Sequence, residues 1–267
     1  MNKESRLQEA YLSRLEKQRR KIMAARILLA LAFFLLWETA ADKNWIDSFF
    51  FSSPSRLARL FLSMWRDGSL FLHVGITLTE TLVSFALVVV IGLAVSLLLW
   101  LSDSVFQVLE PYLVILNSLP KSALAPLLIV WLGANSRTII VAGMSVAIFG
   151  TILNLYTGFT ETSREKIRLI YTLHGTKKDA LTKVVLPSTV PMIISIMKVN
   201  IGLCLVGVVI GEFIGARNGL GYLIIYGSQV FQLDLVILSI LILCLMAMLL
   251  YGGVTAAEKL YHRRQHA

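Results

Sequence analysis

Apolar runs long enough to cross a bilayer fill this chain from residue 27 onward, and one polar island, 160–191, divides them. A hydrocarbon core about 30 Å thick needs roughly twenty apolar residues per helix. Six runs qualify at or near that length: 27–41 (extendable back to Met23), 76–101, 105–133, 138–159, 187–211 and 234–251. The expected fold is therefore all-α, a polytopic membrane protein with six transmembrane helices. Composition agrees, since 57% hydrophobic residues and a mean hydropathy of +0.75 over 267 residues exceed what a soluble domain carries.

The island has its own order. Ile167, Leu169, Ile170 and Leu173, then Ala180, Leu181, Val184 and Val185, recur at helical spacing, with an interruption near His174 and Gly175. Two short helices joined at a bend are predicted. Gly175 tolerates the positive φ of a helix C-cap, and Thr176 is placed to cap the next helix. Pro187 and Pro191 suit the first turn of the helix that follows, where an N–H has no partner to lose. The island is thus a structured hairpin, 160–186.

Net charge is +9, which raises the question of nucleic acid. The charges answer it by their placement between spans, with no basic patch interleaved with aromatics on a soluble module. Six spans put both termini and the hairpin on one side. That side carries 17 Lys and Arg against six on the other, which assigns it to the cytosol by the positive-inside rule. Residues 1–26 form a basic amphipathic arm on that side, with Leu7, Tyr11 and Leu15 on one face and Glu16 four residues before Arg20, suited to anionic lipid. Residues 27–267 make up the transmembrane domain.

Two stretches depart from simple spans. Glu110-Pro111, Asn117, Pro120-Lys121 and Pro126 puncture 105–133, so this span is expected to be kinked or broken and to wall a polar pathway. Residues 212–233 are Gly-rich; Asn218-Gly219 reads as a tight turn and 222–230 as a short re-entrant or interfacial helix. In the connector 42–75, Ser52-Ser53-Pro54-Ser55 marks a helix start, followed by an amphipathic face of Leu57, Leu60, Phe61, Met64 and Trp65. Gly92, Ala94 and Ser96 are small enough for close helix contact.

The order helix, Gly175, helix, Val184-Val185-Leu186-Pro187 and Pro191 resembles the cytoplasmic coupling loop, or EAA loop, of permease subunits in ABC importers. The string LEPYLVILNSLPKSALAPLLIVWLG and the run from Gly207 to Phe231 resemble the same family. The chain departs from the pattern in having Leu169, Ile170 and Tyr171 where the loop's name calls for Glu-Ala-Ala, and His174 where its glycine usually stands. The resemblance implies a separate ATP-binding subunit docking on Leu173, His174, Gly175, Thr176, Lys177, Asp179, Ala180, Leu186 and Pro187. It also implies a second permease copy, an extracytoplasmic solute-binding protein and residence in the bacterial inner membrane. ATP and Mg would belong to the partner ATPase, with no cofactor in this chain, and indeed no Gly-Lys dipeptide of a phosphate-binding loop is present. Within the family the likeness is to permeases for nitrate, sulfonates and taurine and to relatives for thiamine precursors.

Charged residues inside spans cost roughly 2.5–3.5 kcal/mol each at the centre of an isolated helix, so they pair, snorkel or face water. Lys198 is placed near mid-depth, as a pathway residue suited to an anion or as a structural partner of Glu110 or Glu212. Asn117, Pro120, Lys121 and Asn200 complete the path candidates. Glu212 anchors the following loop or, with Arg217, Gly219 and Gly221, meets the binding protein on the outer face. Cys204 and Cys244 lie in apolar runs without CxxC spacing, and His73, His174, His262 and His266 lack ligand spacing, so neither a disulfide nor a metal is expected. With no nucleophile–base pair, the chain is not expected to be an enzyme. The alternative is a gradient-driven transporter or channel without an ATPase; a membrane anchor or sensor would leave the breakers unexplained.

Overall fold

The computed structural model describes residues 3–265, with side chains from 17 to 259. The side chains of Leu7, Tyr11, Leu15, Glu16, His262, Arg263 and Arg264, and the whole of His266, lie outside that description. Every regular element among the described residues is a helix, and the chain divides at residue 63 into two compact units.

The first unit holds α1 (Lys3–Asp42), α2 (Ser48–Phe51) and the start of α3 (Pro54–Arg66). No break in α1 marks residue 26, so arm and first span are one helix that differs along its length only in composition. Ser53 opens α3 as anticipated: its carbonyl accepts from Leu57 N at 3.0 Å, with Pro54 at the first helical position. Trp37 Nε1 donates to Phe51 O at 3.2 Å and Glu38 accepts from Ser55 N at 3.0 Å, so the turn at 43–53 is closed back on α1.

The second unit is a bundle around α7 (Ser136–Thr160), which packs between α4 (Ser69–Leu101) and α10 (Leu186–Gly215). Small residues let these backbones approach. A methyl group added at Gly207 would lie 2.7 Å from Val146 Cγ2 and 2.8 Å from Gly143 Cα; one added at Gly143 would lie 2.6 Å from Ser84 Oγ. Gly92 and Ser96 are on the packed face of α4, whereas Ala94 is exposed.

Between α4 and α7 come α5 (Asp103–Ser118) and α6 (Lys121–Leu132), which meet at 96°. The break falls at Leu119-Pro120, where Pro120 caps α6. Pro111 and Pro126, by contrast, are carried inside their helices. After the hairpin and α10 come α11 (Leu220–Gln229) and α12 (Leu233–Gln265). Among the described residues five helices are long and apolar enough to span a membrane, and the bent pair supplies a sixth if it counts as one span.

Candidate functional site

The hairpin begins with α8 (Arg164–Thr172), whose end corrects the reading of Gly175. The residue in left-handed conformation is His174, at φ 60°. His174 N bonds Tyr171 O at 3.0 Å and Gly175 N bonds Ile170 O at 2.9 Å, the two bonds of a Schellman ending. Gly175 is needed for a different reason: a methyl group there would lie 2.5 Å from Ile170 Cγ2 and 2.8 Å from Ile170 O.

Thr176 does cap the next helix, α9 (Lys177–Ala180), in a capping box with Asp179. Its amide donates to Asp179 Oδ2 at 2.9 Å while its hydroxyl oxygen accepts from Asp179 N at 3.3 Å. Lys183 adds a 3.0 Å ion pair to Asp179.

Beyond α9, Pro187 stands in the first turn of α10 as expected, whereas Pro191 lies inside that helix, and no break precedes it. A π-helical turn, Leu181–Val185, carries α9 directly into α10, and the whole of Lys177–Gly215 is one helix of 39 residues. A widened turn accommodates Pro187, which has no N–H to give to the preceding turn and whose ring would crowd it. The Val185 carbonyl accepts from the hydroxyls of Ser188 at 3.0 Å and Thr189 at 2.8 Å. Ala180, Leu181 and Val185 are buried against Trp100, Leu155 and Phe159, and Lys177 Nζ lies 5.3 Å from the centre of the Trp100 ring. The bend itself leaves Leu173 71% exposed, beside exposed Leu169 and Tyr171. An apolar tip on a charged hairpin is a surface built to be covered.

The same long helix walls a cleft of about 340 Å³. Its polar lining comes from three elements: Asn117 of α5, Thr151 and Asn154 of α7, and Ser195 and Asn200 of α10. Asn200, 3% exposed, donates from Nδ2 to Thr151 Oγ1 at 2.8 Å, and Thr151 in turn donates to Ala147 O. Asn117, Asn154 and Ser195 make no side-chain hydrogen bond among the described residues. Gly150 leaves room for the Asn117 amide, since a methyl group there would lie 3.1 Å from Asn117 Oδ1. Open amides at membrane depth must face water or another polypeptide.

Of the path candidates, the cleft brings together Asn117 and Asn200 but neither lysine. Lys198 forms an ion pair with Glu258 of α12, which replaces the expected partners Glu110 and Glu212. Glu258 was missed because it lies in the last turns of α12, past the apolar run. Lys121 Nζ donates to the Leu116 carbonyl across the bend and sits 5.1 Å from the centre of the Phe149 ring. Pro120 makes the bend without lining the cleft.

At the far end of the bundle Glu212 is 1% exposed and accepts from Thr77 Oγ1 at 2.7 Å and from Gly221 N at 2.6 Å. A buried carboxylate is not available to a docking protein, so of the two roles weighed for Glu212 the geometry has the loop anchor. Gly219, at φ 115°, and Gly221 let the chain pass over that carboxylate. Arg217 is exposed. His73, read as a connector residue, belongs to α4 and accepts from Gly219 N at 3.0 Å through Nδ1. Among the described residues no cluster of His, Cys, Asp or Glu could hold a metal ion.

Helices long and apolar enough to cross a membrane, one of them carrying both a polar cleft and a polar hairpin, define a polytopic membrane protein. Residues 86–265 match the family described as binding-protein-dependent transport system inner membrane component, and the chain belongs to that family. It is 29% identical over 241 residues to a probable ABC transporter permease protein of Haemophilus influenzae, covering 89% of this chain and 95% of that one. It is 27% identical over 233 residues to the formylaminopyrimidine transport permease protein ThiX of Halalkalibacterium halodurans (87% and 92% covered). Over 230 residues it is 24% identical to the taurine transport system permease protein TauC of Escherichia coli (84% and 83%). The fold is also that of the MetNI methionine ABC transporter in inward facing conformations. That likeness has a TM-score of 0.60 at 20% identity, covering 69% of this chain and 92% of that chain.

Membership makes the chain a multi-pass inner-membrane component and not an enzyme. It implies an ATPase and a binding protein as partners, and it removes the gradient-driven alternative.

Proposed function

We propose that this chain forms the translocation path of its importer, that the 160–186 hairpin docks on the ATPase, and that the 39-residue helix Lys177–Gly215 carries the movement to the cleft. The observation that supports this reading is that hairpin and path share one helix, Lys177–Gly215, continuous through the π turn. Thr176 caps one end of a helix whose later turns present Ser195 and Asn200 to the cleft. A displacement of the hairpin by the ATPase is therefore passed to the cleft wall along one continuous helix. Such a shift changes solute binding only if the two states bind it differently.

The cleft opens on a face with unpartnered amides, which suits a second copy of the chain across a shared path. Both termini and the hairpin lie in the cytosol by the charge count of the sequence. The binding protein would deliver solute at the opposite end, near Arg217 and Asn218.

The relatives' names include transport of taurine and aliphatic sulfonates, nitrate, formylaminopyrimidine and riboflavin. The preference for an anion rested on Lys198, whose charge is taken up by Glu258. The cleft lining is uncharged, and an unpaired charge at that depth is costly. A small, polar, uncharged solute with both donors and acceptors fits Asn117, Asn154, Ser195 and Asn200 best.

The test is co-purification of the tagged chain with its ATPase, wild type against Gly175→Pro, which removes the Gly175 N–H bonded to Ile170 O. Loss of the ATPase with the membrane portion still folded is expected. Retention of a fully coupled ATPase by the variant would remove the hairpin from this role.

A further inference from the structure

The polar groups around the cleft differ in how firmly they are held. Asn117, Asn154 and Ser195 make no side-chain hydrogen bond among the described residues, so each can turn a donor or an acceptor toward whatever enters. Asn200 cannot. Its Nδ2 lies 2.8 Å from Thr151 Oγ1, and Thr151 Oγ1 lies 2.6 Å from the Ala147 carbonyl oxygen one turn back along α7. Two oxygens at that distance need a hydrogen between them, and a carbonyl has none to give, so the single hydrogen of the Thr151 hydroxyl is committed to Ala147. Toward α10 the hydroxyl can only accept. The Asn200 amide must therefore point its NH2 group at Thr151. Its Oδ1 accepts no hydrogen bond among the described residues and is not sealed off, which leaves it to the cleft that Asn200 lines.

Thr151 is held in this posture from two sides. A helical threonine favours settings in which its hydroxyl bonds back to the carbonyl of the preceding turn, as here to Ala147. Its methyl group lies over Gly92 of α4, where an added methyl group would come within 2.9 Å of Thr151 Cγ2. At 1% exposure the side chain is also shut away from water that could compete for the hydroxyl.

We propose that Thr151 is the positioning residue that sets the polarity of the solute site. By fixing the Asn200 amide it makes that point of the cleft an acceptor, so the solute carried is one that offers an N–H or O–H donor there. The inference rests on the reading of the cleft as the path, and it narrows the solute class to uncharged compounds with an amide or ring N–H or a hydroxyl. A molecule of similar size bearing only acceptors leaves Oδ1 without a partner once water is displaced, which a polar site rejects. The remaining groups, free to turn, adapt to the rest of the solute.

The experiment uses the full chain with its ATPase in lipid nanodiscs, carrying Asn154→Cys as a reporter in the cleft and Cys244→Ser in place of the exposed native thiol. Reaction of the reporter with a charged methanethiosulfonate is timed in the presence of acetamide or of N,N-dimethylacetamide, which lacks the N–H donors. The ratio of the two protecting concentrations is then compared among Thr151 variants, so that the size difference of the probes cancels. In Thr151→Val neither end of the Asn200 amide finds a hydrogen-bond partner on α7, and the preference for acetamide should fall by about three- to tenfold, the worth of one hydrogen bond. Thr151→Ser keeps the hydroxyl and should restore it. N-methylacetamide gives a readout that needs no change at 151: with one N–H left, it should protect as acetamide does. A ratio unmoved by Thr151→Val, a ratio lost equally in Thr151→Ser, or N-methylacetamide behaving as the dimethyl compound would each overturn the inference alone. A reporter that never reacts would take down the path itself, and the inference with it.

Discussion

Asn200 Nδ2 and Thr151 Oγ1 lie 2.8 Å apart, a hydrogen bond that joins two of the three helices walling the cleft. It spends one arm of the Asn200 amide on structure and leaves the carbonyl oxygen for the cleft. A double-mutant cycle of Asn200→Ala and Thr151→Val should give a coupling of about 0.6 kcal/mol, the usual size for such bonds between membrane helices. Transport should fall much further in Asn200→Ala than that loss accounts for. Transport reduced only in proportion to folded protein would make Asn200 purely structural.

The end of α8 offers a paired test. His174→Gly relieves a left-handed residue of its side chain and should raise thermal stability by about 0.5–1 kcal/mol. Gly175→Ala forces a methyl group onto Ile170 and should lower it by about 1–3 kcal/mol. Unfolding of the purified complex distinguishes these signs, and a loss in His174→Gly would mean that the imidazole is held by the partner ATPase.

Gly207 sets the spacing of α7 and α10. Because its neighbours include the Gly143 Cα and the Ala142 carbonyl, backbone that cannot move aside, Gly207→Ala should cost about 1–3 kcal/mol and reduce the yield of folded protein. Gly202→Ala, which meets nothing within 4 Å, should be neutral in the same assay.

Lys198 and Glu258 pair largely out of solvent, with side-chain exposures of 18% and 22%. Lys198→Met should destabilise by about 1–2 kcal/mol, less than a fully buried pair would lose. The exchange Lys198→Glu with Glu258→Lys should recover most of that. Solute preference in the recovered double variant should match wild type; a preference that changed with the exchange would return Lys198 to the pathway.

Much of this molecule was legible in one dimension. Hydrophobic run lengths gave the spans, because the bilayer leaves few alternatives to a helix, and Pro120 announced the 96° break. The two-helix hairpin and the Thr176 cap followed from local backbone chemistry. The errors share a different cause. Gly175 was assigned the positive φ because glycine tolerates it most readily, yet the bond pattern at the helix end gave it to His174. Pro191 was placed with Pro187 in a first turn, yet it lies inside α10, which a π turn joins to α9 without a break.

What residue order determined by itself was everything governed by neighbours in the chain or by contact with lipid: helix positions, breakers, caps and the side on which positive charge gathers. What only the tertiary structure decided was the pairing of polar groups across helices. Lys198 finds Glu258, Asn200 finds Thr151, and Glu212 finds Thr77 and Gly221. A buried polar group must be satisfied by whatever packing brings within about 3 Å, and no periodicity along the chain encodes which helix that will be.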